Sequence, residues 1–158
     1  VILVKLKVLW PGKTRNVDIK GLQDYYLRRI NQIESCELVE TKDVRGLSEK
    51  DGERIKEKEA QGLEKHFKDD YIICLFDRGK EMNSEELARF LERTSMSSNR
   101  AIIFVVGGFL GLAERVLDRA DALLSLSKMT FSHELSRIMV LEQIYRSLTI
   151  TRGKQYAK

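Results

Sequence analysis

Val4, Leu6 and Val8 alternate with Lys5 and Lys7, and this period of two predicts a first strand over Ile2 to Leu9. Tyr71 to Phe76 and Ala101 to Val106 are continuous apolar runs with no alternation, the pattern of strands buried on both faces at the centre of a sheet. Cys36 to Glu40 and Ala122 to Leu126 complete the expected strands. Helical patterns fall between them: Gly21 to Ile33, Gly52 to Phe67, Ser84 to Ser95, Ala113 to Arg119 and a long one over His133 to Leu148. Asn83 followed by Glu86 has the spacing of a capping box, in which side-chain oxygens satisfy backbone N–H groups at a helix start. Strand and helix thus alternate from end to end, which predicts an α/β fold: a mostly parallel sheet with helices on both faces.

Nothing divides the chain. Its 158 residues fit one domain, 1–158, and no repeat, low-complexity tract or linker interrupts them. The polar segment Thr41 to Asp51 reads as a surface loop. The longest run without formal charge, Ala101 to Ala113, has 13 residues, short of the roughly 20 needed by a spanning helix, so no membrane partner is expected. Lys5 and Lys7 also interrupt the hydrophobic block that a secretion signal would need. Cys36 and Cys74 stand singly in apolar surroundings without a CxxC pattern; read as buried thiols, they predict a reducing cytoplasm.

Charge adds a direction. Lys and Arg number 28 against 24 Asp and Glu, a net of +4, and Arg146, Arg152, Lys154 and Lys158 follow Glu142 with no acidic residue among them. The terminal strip alone therefore matches the whole net charge. It suits a polyanion such as nucleic acid, and it equally suits a solvated tail that complements a helix C-terminus.

In open parallel sheets, ligands bind at the carboxyl ends of the strands. Three segments lie there: Leu75 to Lys80, Gly107 to Leu112, and Leu126 to Phe131. Gly107, Gly108 and Gly111 would let the backbone turn sharply and approach a ligand, although an ordinary tight turn has the same composition. The G-G-x-x-G spacing is neither a dinucleotide fingerprint nor a phosphate loop, and no G-x-S-x-G elbow occurs. With only His66 and His133 and no Cys/His cluster, a metal site is not expected. The last helix is apolar all round at Ile138 to Leu141, which implies burial on more than one side and, for a terminal helix, contact with a second copy of the chain.

Four stretches are similar to a known family: Gly107-Gly108-x-x-Gly111-Leu112; Leu124-Ser125-Leu126-Ser127-Lys128-Met129-Thr130-Phe131-x-His133-x-x-x-Arg137; Leu141-Glu142-Gln143-Ile144-Tyr145-Arg146; and Gly153-x-x-Tyr156-x-Lys158. Together they resemble the large-subunit ribosomal RNA pseudouridine N3-methyltransferase H family of the SPOUT class. The resemblance implies a C-terminal trefoil knot, a homodimer, and S-adenosylmethionine as cofactor. Its contacts would be Leu75, Gly107, Gly108 and the run Leu126, Ser127, Lys128, Met129, Thr130 and Phe131. The implied reaction methylates N3 of a pseudouridine in ribosomal RNA, free or within the assembled ribosome. Catalytic roles fall to His133, Arg137 and Tyr156, with Arg146, Arg152, Lys154 and Lys158 gripping RNA.

Two positions depart from the family pattern. Ser132 stands where a proline usually precedes the motif histidine, and Ala157 stands where a histidine usually follows the tail tyrosine. The second departure supports one alternative, a non-catalytic RNA-binding or ribosome-assembly dimer that retains the pocket; a SPOUT methyltransferase that acts on transfer RNA is another, which the tail motif fits less well than family H.

Overall fold

A computed structural model describes residues 4–154. Five strands, β1 (Leu6–Pro11), β2 (Cys36–Thr41), β3 (Tyr71–Glu81), β4 (Ile102–Val105) and β5 (Ala122–Ser125), form one sheet in the order β2-β1-β4-β3-β5. Every pairing is parallel. The helices are α1 (Val17–Asn31), α2 (Gly52–Glu64), α3 (Ser84–Ser97), α4 (Glu114–Asp118) and α5 (His133–Thr151). The α/β expectation holds in element type and order. Helix α1 starts four residues earlier than periodicity indicated because Asn16 caps it: its side chain accepts N–H bonds from Asp18 (3.0 Å) and Ile19 (3.1 Å). The Asn83–Glu86 capping box forms in both directions. The segment 42–48 carries no regular structure, and a single 3₁₀ turn at Glu49–Asp51 leads into α2.

Side chains leave the central strands alternately to two cores. Leu6, Val8 and Trp10 of β1, Ile73 of β3 and Ile102 and Phe104 of β4 meet α1, α3 and α5 on one face. Leu9, Ile72, Cys74, Ile103 and Val105 meet α2 and α4 on the other. Both predicted central strands are therefore apolar at consecutive positions because each faces a core on both sides. Helix α5 packs between α1 and α3 of its own chain. Leu141 and Ile144 have no exposed surface, each contributing about 1.5–3 kcal/mol by burial. The run at Ile138, Val140 and Leu141 is covered by helices of the same chain, while Leu135 and Ile150 of α5 each stay 40% exposed.

Strand β3 runs five residues past its expected end, with an interruption that shapes the carboxyl edge. Leu75 and Lys80 both register with Leu124 of β5, so Phe76 to Gly79 bulge out between two pairing segments. The bulge requires a glycine at its exit. A Cβ on Gly79 would lie 2.7 Å from the Leu123 carbonyl carbon and 2.8 Å from the Leu124 nitrogen.

Helix α5 ends equally sharply. Gly153 takes φ +65°, and the N–H groups of Gly153 and Lys154 donate to the carbonyls of Ile150 (3.1 Å) and Thr149 (2.8 Å), the Schellman arrangement.

Candidate functional site

The carboxyl ends of β3, β4 and β5 enclose a cleft of about 410 Å³, in the size range of small-molecule sites, roughly 300–1,000 Å³. Leu75, Gly107, Gly108, Leu126, Ser127, Met129, Thr130 and Phe131 line it, as does His133. Lys128 does not; its side chain is exposed and absent from the lining. The β3 bulge brings in Phe76 and Asp77, and α2 contributes Lys56.

The glycine loop is folded onto itself. A Cβ on Gly107 would come within 2.8 Å of the Gly111 carbonyl carbon, while the Gly111 N–H donates to the Gly108 carbonyl at 3.0 Å. Only Gly111 uses the left-handed region, with φ +83°. Gly107 and Gly108 are required for close approach, so their role is steric where conformational freedom was one expected reason. In the facing loop the Ser125 hydroxyl donates to the Ser127 carbonyl (3.0 Å), and the Ser127 hydroxyl accepts the Met129 N–H (2.9 Å).

Behind the glycine loop sits a carboxyl. Glu59 of α2 faces Gly108 so closely that a Cβ there would lie 2.8 Å from Glu59 Oε2 and 3.2 Å from Pro11 Cγ. Burial, reinforced by the charge of Asp43 and opposed by Arg137, pushes the Glu59 carboxyl up to about 7.

His133 opens α5 and faces the cleft, its ring in edge contact with Phe109 at 6.4 Å. Burial first, and the positive charge of Arg137 second, lower its proton affinity, so the imidazole is neutral near pH 7. Ser132, the residue found in place of proline, is the N-cap of α5 and accepts the Leu135 N–H at 3.3 Å.

Arg137 lies elsewhere than the resemblance suggested. It is 1% exposed, and its guanidinium donates to the Pro11 carbonyl (2.8 Å) and the Thr14 hydroxyl (3.0 Å) over the Trp10 ring. Burial lowers its proton affinity, and Glu40, Glu134, Asp43 and Glu59 oppose that effect. Arg137 is thus held behind the cleft, against the turn on which Gly108 rests, and does not line it.

The basic strip divides. Arg146 pairs with Glu142 one turn earlier, Nε to Oε1 at 3.0 Å, and Arg152 pairs with the buried Glu34 carboxylate. Lys154 is exposed. Tyr156, Ala157 and Lys158 lie outside the described residues. Cys36 and Cys74 are free and buried, and burial pushes each thiol up to about 12. Among the described residues no helix is long and apolar enough to cross a membrane, and no cluster of three His, Cys, Asp or Glu is placed to hold a metal ion.

Sequence reasoning did not single out Lys56, Asp77, Glu59 or Phe109. Lys56 and Glu59 belong to a run of mixed charges that reads as a solvated helix face, so no local signal marked them. Asp77 and Phe109 fell inside loops already singled out, and their exposure follows from the bulge and the glycine fold.

Comparison with known proteins supplies the family. Residues 4–157 match the family described as "Predicted SPOUT methyltransferase". The chain is 38% identical over 159 aligned residues to "Ribosomal RNA large subunit methyltransferase H" of Clostridium botulinum (strain Kyoto / Type A2), covering 98% of this chain and 100% of that protein. It is 38% identical over 154 residues to the protein of the same name from Geotalea daltonii, covering 97% and 99%. In structure it resembles a probable methyltransferase from Bordetella pertussis Tohama I, with a TM-score of 0.59 at 12% identity over 92% of this chain and 95% of that one, a likeness of fold. The chain belongs to the SPOUT methyltransferase family.

Proposed function

We propose that this protein methylates ribosomal RNA of the large subunit, using S-adenosylmethionine, at N3 of a pseudouridine. The observation that carries the reading is the cleft itself: three strand-end loops with a glycine floor, in a chain whose full-length relatives are named for ribosomal RNA methylation. The choice of pseudouridine and of N3 rests on the family resemblance.

The residues present fit the cofactor. A Cβ at Gly107 would collide with the loop that forms the floor, and Leu75, Leu126 and Phe131 offer apolar surface for an adenine. Lys56 and Asp77 are the formally charged side chains of the lining, matching a carboxylate and an ammonium at the amino-acid end. Bound S-adenosylmethionine supplies an electrophilic methyl group on a sulfonium. The protein must then orient the RNA nitrogen and manage its proton, because a protonated imide nitrogen is a poor nucleophile. His133, neutral and facing the cleft, takes the hydrogen-bonding and proton-relay role. Arg137 positions the Pro11 turn beneath the glycine loop. Lys154 and the tail residues Tyr156 and Lys158 grip RNA, with Arg146 and Arg152 contributing only where their carboxylate partners release them.

The trefoil knot, the homodimer and a cytoplasmic location belong to the same proposal. The knot rests on the family resemblance; in the sheet the chain leaves β4 and crosses β3 to reach β5. The dimer is supported by apolar side chains exposed along α1, Val17 (82%), Leu22 (46%) and Tyr25 (40%), with Leu135 of α5 (40%). Incubation with unmodified ribosomes and tritiated S-adenosylmethionine, followed by mapping of the labelled nucleotide, tests the function. Label at N3 of a pseudouridine in the large-subunit RNA is expected. Cofactor binding without transfer would favour the non-catalytic alternative, and label confined to transfer RNA would favour the other.

A further inference from the structure

We infer that Phe109 is the platform on which the target pyrimidine stacks while its nitrogen is held over the cleft; this rests on the function proposed above. Phe109 is 72% exposed, although Gly108 before it is buried. Phe109 does not stand singly: it shares the cleft lining with other apolar side chains, and exposed apolar surface that is contiguous with a cleft marks a binding surface. The ring also stands on a rigid base, because the loop beneath it is closed by the Gly111 to Gly108 hydrogen bond and by the contact of Gly107 with the Gly111 backbone. With the backbone fixed, only the two χ angles of the side chain remain to be ordered when a ligand lands on it.

The setting fits a base. The His133 ring meets Phe109 edge-on, with centroids 6.4 Å apart and planes at 85°, and burial beside Arg137 disfavours the charged form of that ring. Met129, 75% exposed on the facing loop, adds a second apolar side chain to the same lining. A nucleotide whose ring nitrogen must be reached has to leave its stack, and an aromatic face on the protein replaces the stacking it loses. A second copy of the chain is the competing occupant. Phe109 lines the cleft, however, whereas the exposed apolar residues of α1 do not.

Three variants separate these cases: Phe109→Ala, Phe109→Leu and Phe109→Tyr, assayed for methyl transfer to ribosomes and, by calorimetry, for S-adenosylmethionine affinity. Stacking predicts that Ala and Leu lower kcat/KM toward RNA by about 5- to 150-fold, that Tyr stays near wild type, and that cofactor affinity is unchanged in all three. Full activity in Phe109→Leu would overturn the inference, since apolar contact without a π face would then suffice. A parallel loss of cofactor affinity in Phe109→Ala would overturn it by making the ring part of the cofactor site. A shift of that variant from dimer to monomer in sedimentation would overturn it in favour of the second copy. Wild-type protein inactive on ribosomes would remove the proposed function and this role with it, whereas active wild type beside an equally active Phe109→Ala would remove this role alone.

Discussion

Removing Arg152 would strand the Glu34 carboxylate inside the protein. Glu34 is 4% exposed and also accepts the Val4 N–H, so water cannot readily replace the lost guanidinium. We expect Arg152→Ala to lower unfolding free energy by about 2–4 kcal/mol, read by urea denaturation, with much of the loss recovered in the Arg152→Ala, Glu34→Gln double variant. Glu59 makes a pH-dependent case. Its proton affinity is raised in the folded state, to about 7, so the folded protein keeps a proton that the unfolded chain has already released. Stability should therefore fall as pH rises from the ordinary glutamate range to about 7 and level off above it. Glu59→Gln should remove that slope and be worth about 1 kcal/mol more at pH 8 than at pH 5 after allowance for solvent screening, measured as thermal midpoints across pH. The Glu34–Arg152 pair was not legible in the sequence, because the two are separated by most of the chain and tertiary packing brings them together, whereas the Glu142–Arg146 pair lies at helical i,i+4 spacing and was open to reading. The lining of the cleft was legible because the glycines and the Leu126 to Phe131 run are contiguous; only Lys128, which points to water, fell outside it.

At the scale of elements, two glycines govern how loops and ends are drawn. Gly153 stops α5 in the left-handed region, where a Cβ costs about 1–2 kcal/mol. Gly153→Ala should destabilise the protein by about 1 kcal/mol in chemical denaturation, and should also lower methyl transfer beyond that loss because the basic tail leaves from this turn. Gly107→Val should displace the glycine loop, whose backbone lies 2.8 Å from the position of the first added carbon. Calorimetric titration with S-adenosylmethionine should then show affinity reduced at least ~100-fold, a change of about 2.7 kcal/mol; unchanged affinity would remove the loop from the cofactor site. Strand identity and order of occurrence could be read from the apolar runs, but spatial order could not. The β3 bulge was hidden for the same reason, since Phe76 to Gly79 contain nothing that announces a second pairing of Lys80 and Glu81 with β5.

For the whole molecule, α5 packs between α1 and α3, and the proposed dimer rests on apolar side chains left exposed at Val17, Leu22, Tyr25 and Leu135. We expect sedimentation at micromolar concentration to show a dimer, and Leu22→Glu with Tyr25→Glu to shift it toward monomer without loss of helical signal, because both side chains already face water in the single chain. Function then divides between regions of different character. The glycine loop and its Pro11 and Glu59 supports are close-packed against one another, so the chain itself shapes the pocket floor. Capture of a small molecule there should cost little ordering, and what remains to be immobilised is the outer rim at Phe109 and Met129. Binding heat capacity should accordingly be modest for the small molecule and grow disproportionately when RNA is added.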